Sequence, residues 1–186
     1  MPMIQVWALG LSALALVACG AYGAEKGQAP AAAAAAKPAA TAAEAARTPT
    51  AAADSTPKGR LKNPYTDSNA AIVAEGKDFY FHSGCNGCHG GGGGGGICPP
   101  LINDIWVYGG DDDTLFRLVT LGSDALQAKG YTRVGLEKVV GPMPPMGAIV
   151  PTEDALWKII TFIRASYHGS PAAKFGSPPD APPPPG

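Results

Sequence analysis

The stretch "GCNGCHGGGGGGGICPPL", Gly84 to Leu101, places two thiols three residues apart, an imidazole directly after the second, and then seven glycines in a row. A Cys-x-x-Cys pair has four common uses: dithiol redox exchange, half of a zinc site, a disulfide, and attachment of a c-type haem. Redox exchange of the thioredoxin kind expects strand-helix-strand surroundings, and no stretch of this chain alternates convincingly as strand. Structural zinc takes four ligands, usually from a second paired motif. The spare candidates Cys98, His82 and His168 show no such pairing. A plain disulfide has no need of His89.

Haem attachment uses all three groups. Two thiols add across the vinyl groups of the porphyrin, the short spacer matches the distance between those vinyls, and the next residue lies under the iron. Cys85-Asn86-Gly87-Cys88-His89 therefore predicts one covalently attached haem c, ligated by His89. The glycines that follow suit backbone running close to a porphyrin edge, because glycine allows both close approach and positive φ. Slack loop is the other reading. A phosphate loop is excluded, since no Gly-Lys-Ser/Thr follows.

Working outward, composition divides the 186 residues into four parts. Residues 1–18 are apolar, 19–60 rich in Ala, Pro and Thr, 61–170 hold all three His and most of the large aliphatics, and 171–186 are Pro-rich. One domain of about 110 residues is expected, with a tether before it and a flexible tail behind. So small a domain buries roughly two-thirds of its unfolded surface, and a large apolar cofactor would help fill its centre. The formal net charge of -1 gives no argument for nucleic acid.

"MIQVWALGLSALALVAC", Met3 to Cys19, is an uncharged apolar run that fits a secretory signal. Its end, "LVAC", resembles the lipobox of bacterial lipoproteins, where cleavage precedes an acylated cysteine, here Cys19. Ordinary cleavage after Gly23 and an uncleaved anchor are the alternatives; about 20 residues are needed to span a bilayer. All three put the domain in the periplasm, with possible membrane anchoring through Cys19 or the apolar segment. The Ala/Pro-rich tether would span roughly 35 Å as a flexible coil.

Three helices are expected in the domain: about Ser68 to His82, capped by Asp67 or Ser68; about Asp112 to Leu121, ended by Gly122; and about Glu153 to Tyr167, capped by Thr152. Its two methionines, Met143 and Met146, both lie in "GPMPPMG". A methionine on the second face of the iron raises the potential and suits electron transfer.

With first helix, Cys-x-x-Cys-His, long loop, middle helix, Met-Pro loop and terminal helix in order, residues 61–170 resemble a class I c-type cytochrome. The resemblance implies an all-α fold wrapped around one haem, with the outer helices crossing near Gly76 and Tyr80 on one and Ile159 and Phe162 on the other. It implies that Met143, the methionine of "MPP", is the sixth ligand and Met146 a packing neighbour. It implies that the carbonyl of Pro99 accepts from the proximal His89, and that Trp106 and Tyr108 donate to haem propionates; core packing is the alternative for these two. "NPYT", "CHGGGGGGGICPPLIND" and "WVYGG" look similar to cytochromes that serve PQQ-dependent alcohol or methanol dehydrogenases. Cys98 departs from that pattern, standing where glycine is expected. The implied function is one-electron transfer from a dehydrogenase donor to a terminal oxidase, without enzymatic activity. A fixed subunit of a respiratory complex and a haem sensor or peroxidase-like protein are the alternatives. His82 and His168 are expected at the surface.

Overall fold

Asn69 starts the first long helix of the domain, one or two residues after the caps expected for it. Its side-chain oxygen accepts from the N–H groups of Ala71 and Ile72 and so satisfies donors that the first turn leaves open. The structure is a computed structural model that describes residues 41–176, which belong to one of two compact units of the chain, Ala36–Gly186. The signal, the lipobox Cys19, the first part of the tether and the end of the tail lie outside the described residues. Among the described residues seven helices follow in order: α1 Ala42–Ala46, α2 Pro49–Ser55, α3 Ala70–His82, α4 Cys85–His89, α5 Asp112–Ala128, α6 Glu153–Ala165 and α7 Pro171–Phe175. No strand occurs among the described residues, and none of these helices is long and apolar enough to cross a membrane.

The outer helices α3 and α6 form the main packing pair. Their axes approach where α3 has no side chain: a Cβ at Gly76 would stand 1.9 Å from the Lys158 carbonyl oxygen. One turn on, Tyr80 meets Phe162 with ring centroids 5.2 Å apart. Phe116 of α5 packs on Trp157 of α6 at 4.5 Å, a contact worth about 0.5–1.5 kcal/mol beyond its buried area. Helix α6 begins as its sequence predicts, with Thr152 accepting from Ala155 N–H and two acidic residues in the first turn.

Two boundaries differ from the composition reading. The chain is folded well before residue 61: Pro49, Ala52 and Ala53 of α2 are buried, the two alanines within the same apolar cluster as Phe116, Val150 and Trp157. Small side chains, which cannot build a core themselves, let this helix lie close to one. Beyond Ser170 the first turn of the tail is also packed. Lys174 pairs with Asp67, and the Arg164 guanidinium lies 5.1 Å from the centroid of the Phe175 ring.

A buried ion pair ties these parts together. Arg117 meets Asp113 at 3.0 Å with both side chains almost fully buried. The guanidinium also donates to the carbonyls of Ala53, Thr56 and Pro57. Asp113 accepts from Leu61 N–H and the Tyr131 hydroxyl. Burial alone would raise the Asp113 pKa. Hydrogen bonds from Tyr131, Gly59, Arg117 and Leu61 outweigh it and hold the carboxyl below its usual range. A depressed carboxylate pKa contributes stability that is present above the unfolded value of about 3.9 and lost as pH falls through the folded value. Asp113→Ala is therefore expected to cost about 3–5 kcal/mol at neutral pH, because it strands a buried guanidinium. Chemical denaturation at pH 7 and at pH 3 should show the gap between wild type and variant narrowing in acid.

Candidate functional site

Helix α4 is a single turn set between two left-handed glycines, Gly84 (φ 77°) and Gly90 (φ 78°). Positions three apart on a helical turn are neighbours, so Cys85 and Cys88 face the same way and His89 closes the turn. Both thiols are free and partly buried. Burial, together with the nearby Cys88, pushes the Cys85 thiol up to about 11 despite an opposing backbone hydrogen bond; it is a neutral thiol at physiological pH.

The His89 ring is oriented by its backbone partner. Its Nδ1 lies 2.8 Å from the carbonyl oxygen of Pro99. A carbonyl can only accept, so Nδ1 carries the proton and Nε2 keeps its lone pair. That is the tautomer required of an imidazole that ligates through Nε2 while a backbone carbonyl holds Nδ1–H.

The glycine run folds back onto the motif. Gly95 N–H donates to the His89 carbonyl at 2.8 Å, Cys98 N–H to the Cys88 carbonyl at 3.1 Å, and the Tyr80 hydroxyl to the Gly90 carbonyl at 2.7 Å. A Cβ at Gly90 would stand 2.6 Å from Gly95 O, and one at Gly96 2.8 Å from Cys88 O. These glycines are required by backbone packed on backbone. By contrast, nothing stands within 4 Å of a Cβ built at Gly92. Cys98 sits against the motif. Burial and a hydrogen bond with Cys88 both raise its pKa.

The methionine loop is fixed from α5. Ser123 N–H donates to the Met143 carbonyl at 3.0 Å, and Met143 N–H donates to the Ser123 hydroxyl at 3.0 Å. The reciprocal pair needs the loop to lie on the helix backbone at Gly122, where a Cβ would come within 2.6 Å of Met143 O. Gly122, with φ 77°, therefore kinks α5 instead of ending it, and the helix resumes to Ala128. Met146 behaves differently from Met143: it packs against the apolar core, and its N–H donates to the Val119 carbonyl.

Trp106 is fixed by a neighbouring carbonyl and a neighbouring ring. Its indole N–H, the only donor it has, is given to the Leu101 carbonyl at 2.9 Å, and its ring lies 4.5 Å from that of Tyr167. In this arrangement it packs and braces the loop. Tyr108 lines a cavity of about 560 Å³ together with Ile105, Trp106, Val134 and Leu136. Cys85, Cys88, His89 and Met143 do not line that cavity, so the predicted residues are not all gathered around one void. His82 is exposed, with Nδ1 2.9 Å from the Asp78 carbonyl, and His168 is exposed as well.

The donor set fits a covalent haem. Two free thiols and the imidazole of His89 are presented on one turn. Among the described residues no three His, Cys, Asp or Glu side chains gather as an ion site of their own. The loop ahead of Met143 leaves Val134, Leu136 and Val140 69%, 100% and 89% exposed, apolar surface of the kind that marks a binding face. Sequence reasoning missed Ser123 and Tyr80 as parts of the site. A serine twenty residues before the methionine has no local signature, and Tyr80 reads as ordinary helix core.

Residues 71–163, half of the chain, match the protein family described as "Cytochrome C oxidase, cbb3-type, subunit III". No curated protein matches the sequence. Among solved structures the chain is similar to cytochrome CL from the marine methylotrophic bacterium Methylophaga aminisulfidivorans MPT. The two are 20% identical with a TM-score of 0.42, over 62% of this chain and 73% of the other.

Proposed function

The chain belongs to the cbb3-type cytochrome c oxidase subunit III family, and on that premise we propose that it takes single electrons from a dehydrogenase outside the cytoplasm and passes them to a terminal oxidase. It is an all-α c-type cytochrome of class I, an electron carrier with covalently attached haem c. When bound, the haem would supply one-electron chemistry, and a methionine ligand would raise its potential.

The residues are proposed to act as follows. Cys85 and Cys88 would hold the porphyrin, His89 and Met143 would ligate the iron, and the Pro99 carbonyl would keep the ring of His89 in place. The observation that carries this reading is the difference between the two methionines: Met143 is pinned through its backbone with its side chain outside the core cluster, whereas Met146 packs on that cluster. A filled coordination shell serves transfer and leaves no position for a substrate, so no enzymatic activity is proposed. The donor class, a quinoprotein alcohol or methanol dehydrogenase, rests on the sequence resemblance alone. So does export by the amino-terminal segment, with anchoring through Cys19. A second reading, a domain fixed within an oxidase complex, is favoured by the description of the family. Co-purification from native membranes separates the two readings: a stoichiometric oxidase partner supports the fixed domain.

Docking is proposed at the charge-poor loops that flank the haem motif and the methionine. Gly90–Asn103 and Val139–Thr152 contain no Lys, Arg, Asp or Glu, and they expose Ile97, Val140 and Ile149. The screening length falls from about 30 Å at 0.01 M salt to about 10 Å at 0.1 M, but so uncharged a face gains little from steering. Stopped-flow reduction by the physiological donor is expected to change only a few-fold over that range. A tenfold or greater fall in rate would place docking at charged surface outside these two loops instead.

A further inference from the structure

We propose that Arg47–Pro57, which lies outside the family-matched residues 71–163, is a strap that holds the methionine loop in its ligating position. The inference rests on Met143 as the sixth ligand. The loop from Met143 to Thr152 is fixed on its inner side by α5, through Ser123, the Val119 carbonyl and the Thr120 carbonyl. Its far end is fixed by the strap. Glu153 N–H, the first of α6, donates to the Arg47 carbonyl at 2.6 Å, and the Arg47 side chain pairs with Glu153 at 2.8 Å. In between, Thr50 presses on the loop: a Cβ at Gly147 would stand 2.7 Å from its hydroxyl oxygen. Ala52 and Ala53 share the buried cluster with Val150, and Met146 packs against the same cluster.

The strap is itself held firmly. Thr48 caps α2 by accepting from Ala51 N–H, and Pro49 occupies the first turn, where its missing N–H costs nothing. At the other end the carbonyls of Ala53, Thr56 and Pro57 would be open, and the buried Arg117 guanidinium takes all of them. The segment thus spans from α5 to the start of α6 and lies across the back of the loop between them. A thioether is a weak, neutral ligand, and its hold on iron depends on how rarely the loop swings away. Removing the brace from behind the loop should raise the fraction of time that the sixth position is open.

Imidazole titration of the ferric, haem-loaded full chain tests this, with the sulfur-to-iron charge-transfer band as a second readout. Deletion of residues 42–57 is expected to weaken the band and to raise imidazole affinity at least tenfold. Arg47→Ala combined with Thr50→Ala, which leaves the core intact, should raise affinity several-fold; if the deletion does not fold, this variant decides alone. Asn63→Ala loses a buried bond to Thr161 outside the strap and should lower the melting temperature without changing imidazole affinity. Met143→Ala should abolish the band. Wild-type imidazole affinity in the strap variants, with the band still abolished by Met143→Ala, overturns the strap. A band that survives Met143→Ala overturns the ligand reading instead.

Discussion

The chain in which Cys85 and Cys88 are both replaced by Ala is expected to hold no haem against acidified organic solvent and to lose its cooperative unfolding transition. The first result follows from chemistry, since no thioether can form. The second follows from packing. The apolar cluster joins α2, α3, α5 and α6, while the long segments 90–111 and 129–152 carry no regular secondary structure. Their apolar side chains Ile105, Val134 and Leu136 are left exposed by the protein itself. A domain of this size has few kcal/mol to spare, and a covalently bound apolar group is the element that would cover such surface. Calorimetry and solvent extraction of the purified double variant check both parts. A stable, cooperatively folded chain without haem would show that the protein core suffices.

Met143→Ala carries the second large effect. Axial ligands set haem potentials over a range of about 0.8 V, so losing the thioether is expected to lower the potential by on the order of 100 mV. The sulfur-to-iron band should disappear with it. Met146→Ala should leave the band in place and act instead on stability, costing about 2–3 kcal/mol as a partly buried methionine truncated against the core. Potentiometric titration of the two variants side by side decides between them, and a larger drop for Met146 would reverse the assignment.

Much of this architecture is legible in the sequence because it is local. The three long helices announce themselves by spacing and caps, and the haem motif by five consecutive residues. What escapes is long-range. Asn69 supersedes Asp67 and Ser68 as the cap by a shift of one or two residues, which composition does not resolve. Gly122 reads as a helix stop, yet its lack of a Cβ serves the methionine loop, and that loop is brought over it only by the tertiary fold. The glycine run reads as slack or as room for porphyrin. In the structure Gly90 and Gly96 are needed by neighbouring carbonyls. The Ala-rich segment before residue 61 reads as tether because alanine cannot make a core, but alanine is what a helix needs to lie close against someone else's. The bond from the Trp106 indole to the Leu101 carbonyl likewise has no local signature.

The optical spectrum of the reduced, haem-loaded protein before and after carbon monoxide tests the carrier reading most directly. With His89 and Met143 both bound, the iron is six-coordinate and low-spin, and the spectrum should not change when the gas is added. A rapid shift to a carbon monoxide adduct would show an open or readily vacated sixth position, and would point to a sensor or a peroxidase-like protein instead of a carrier.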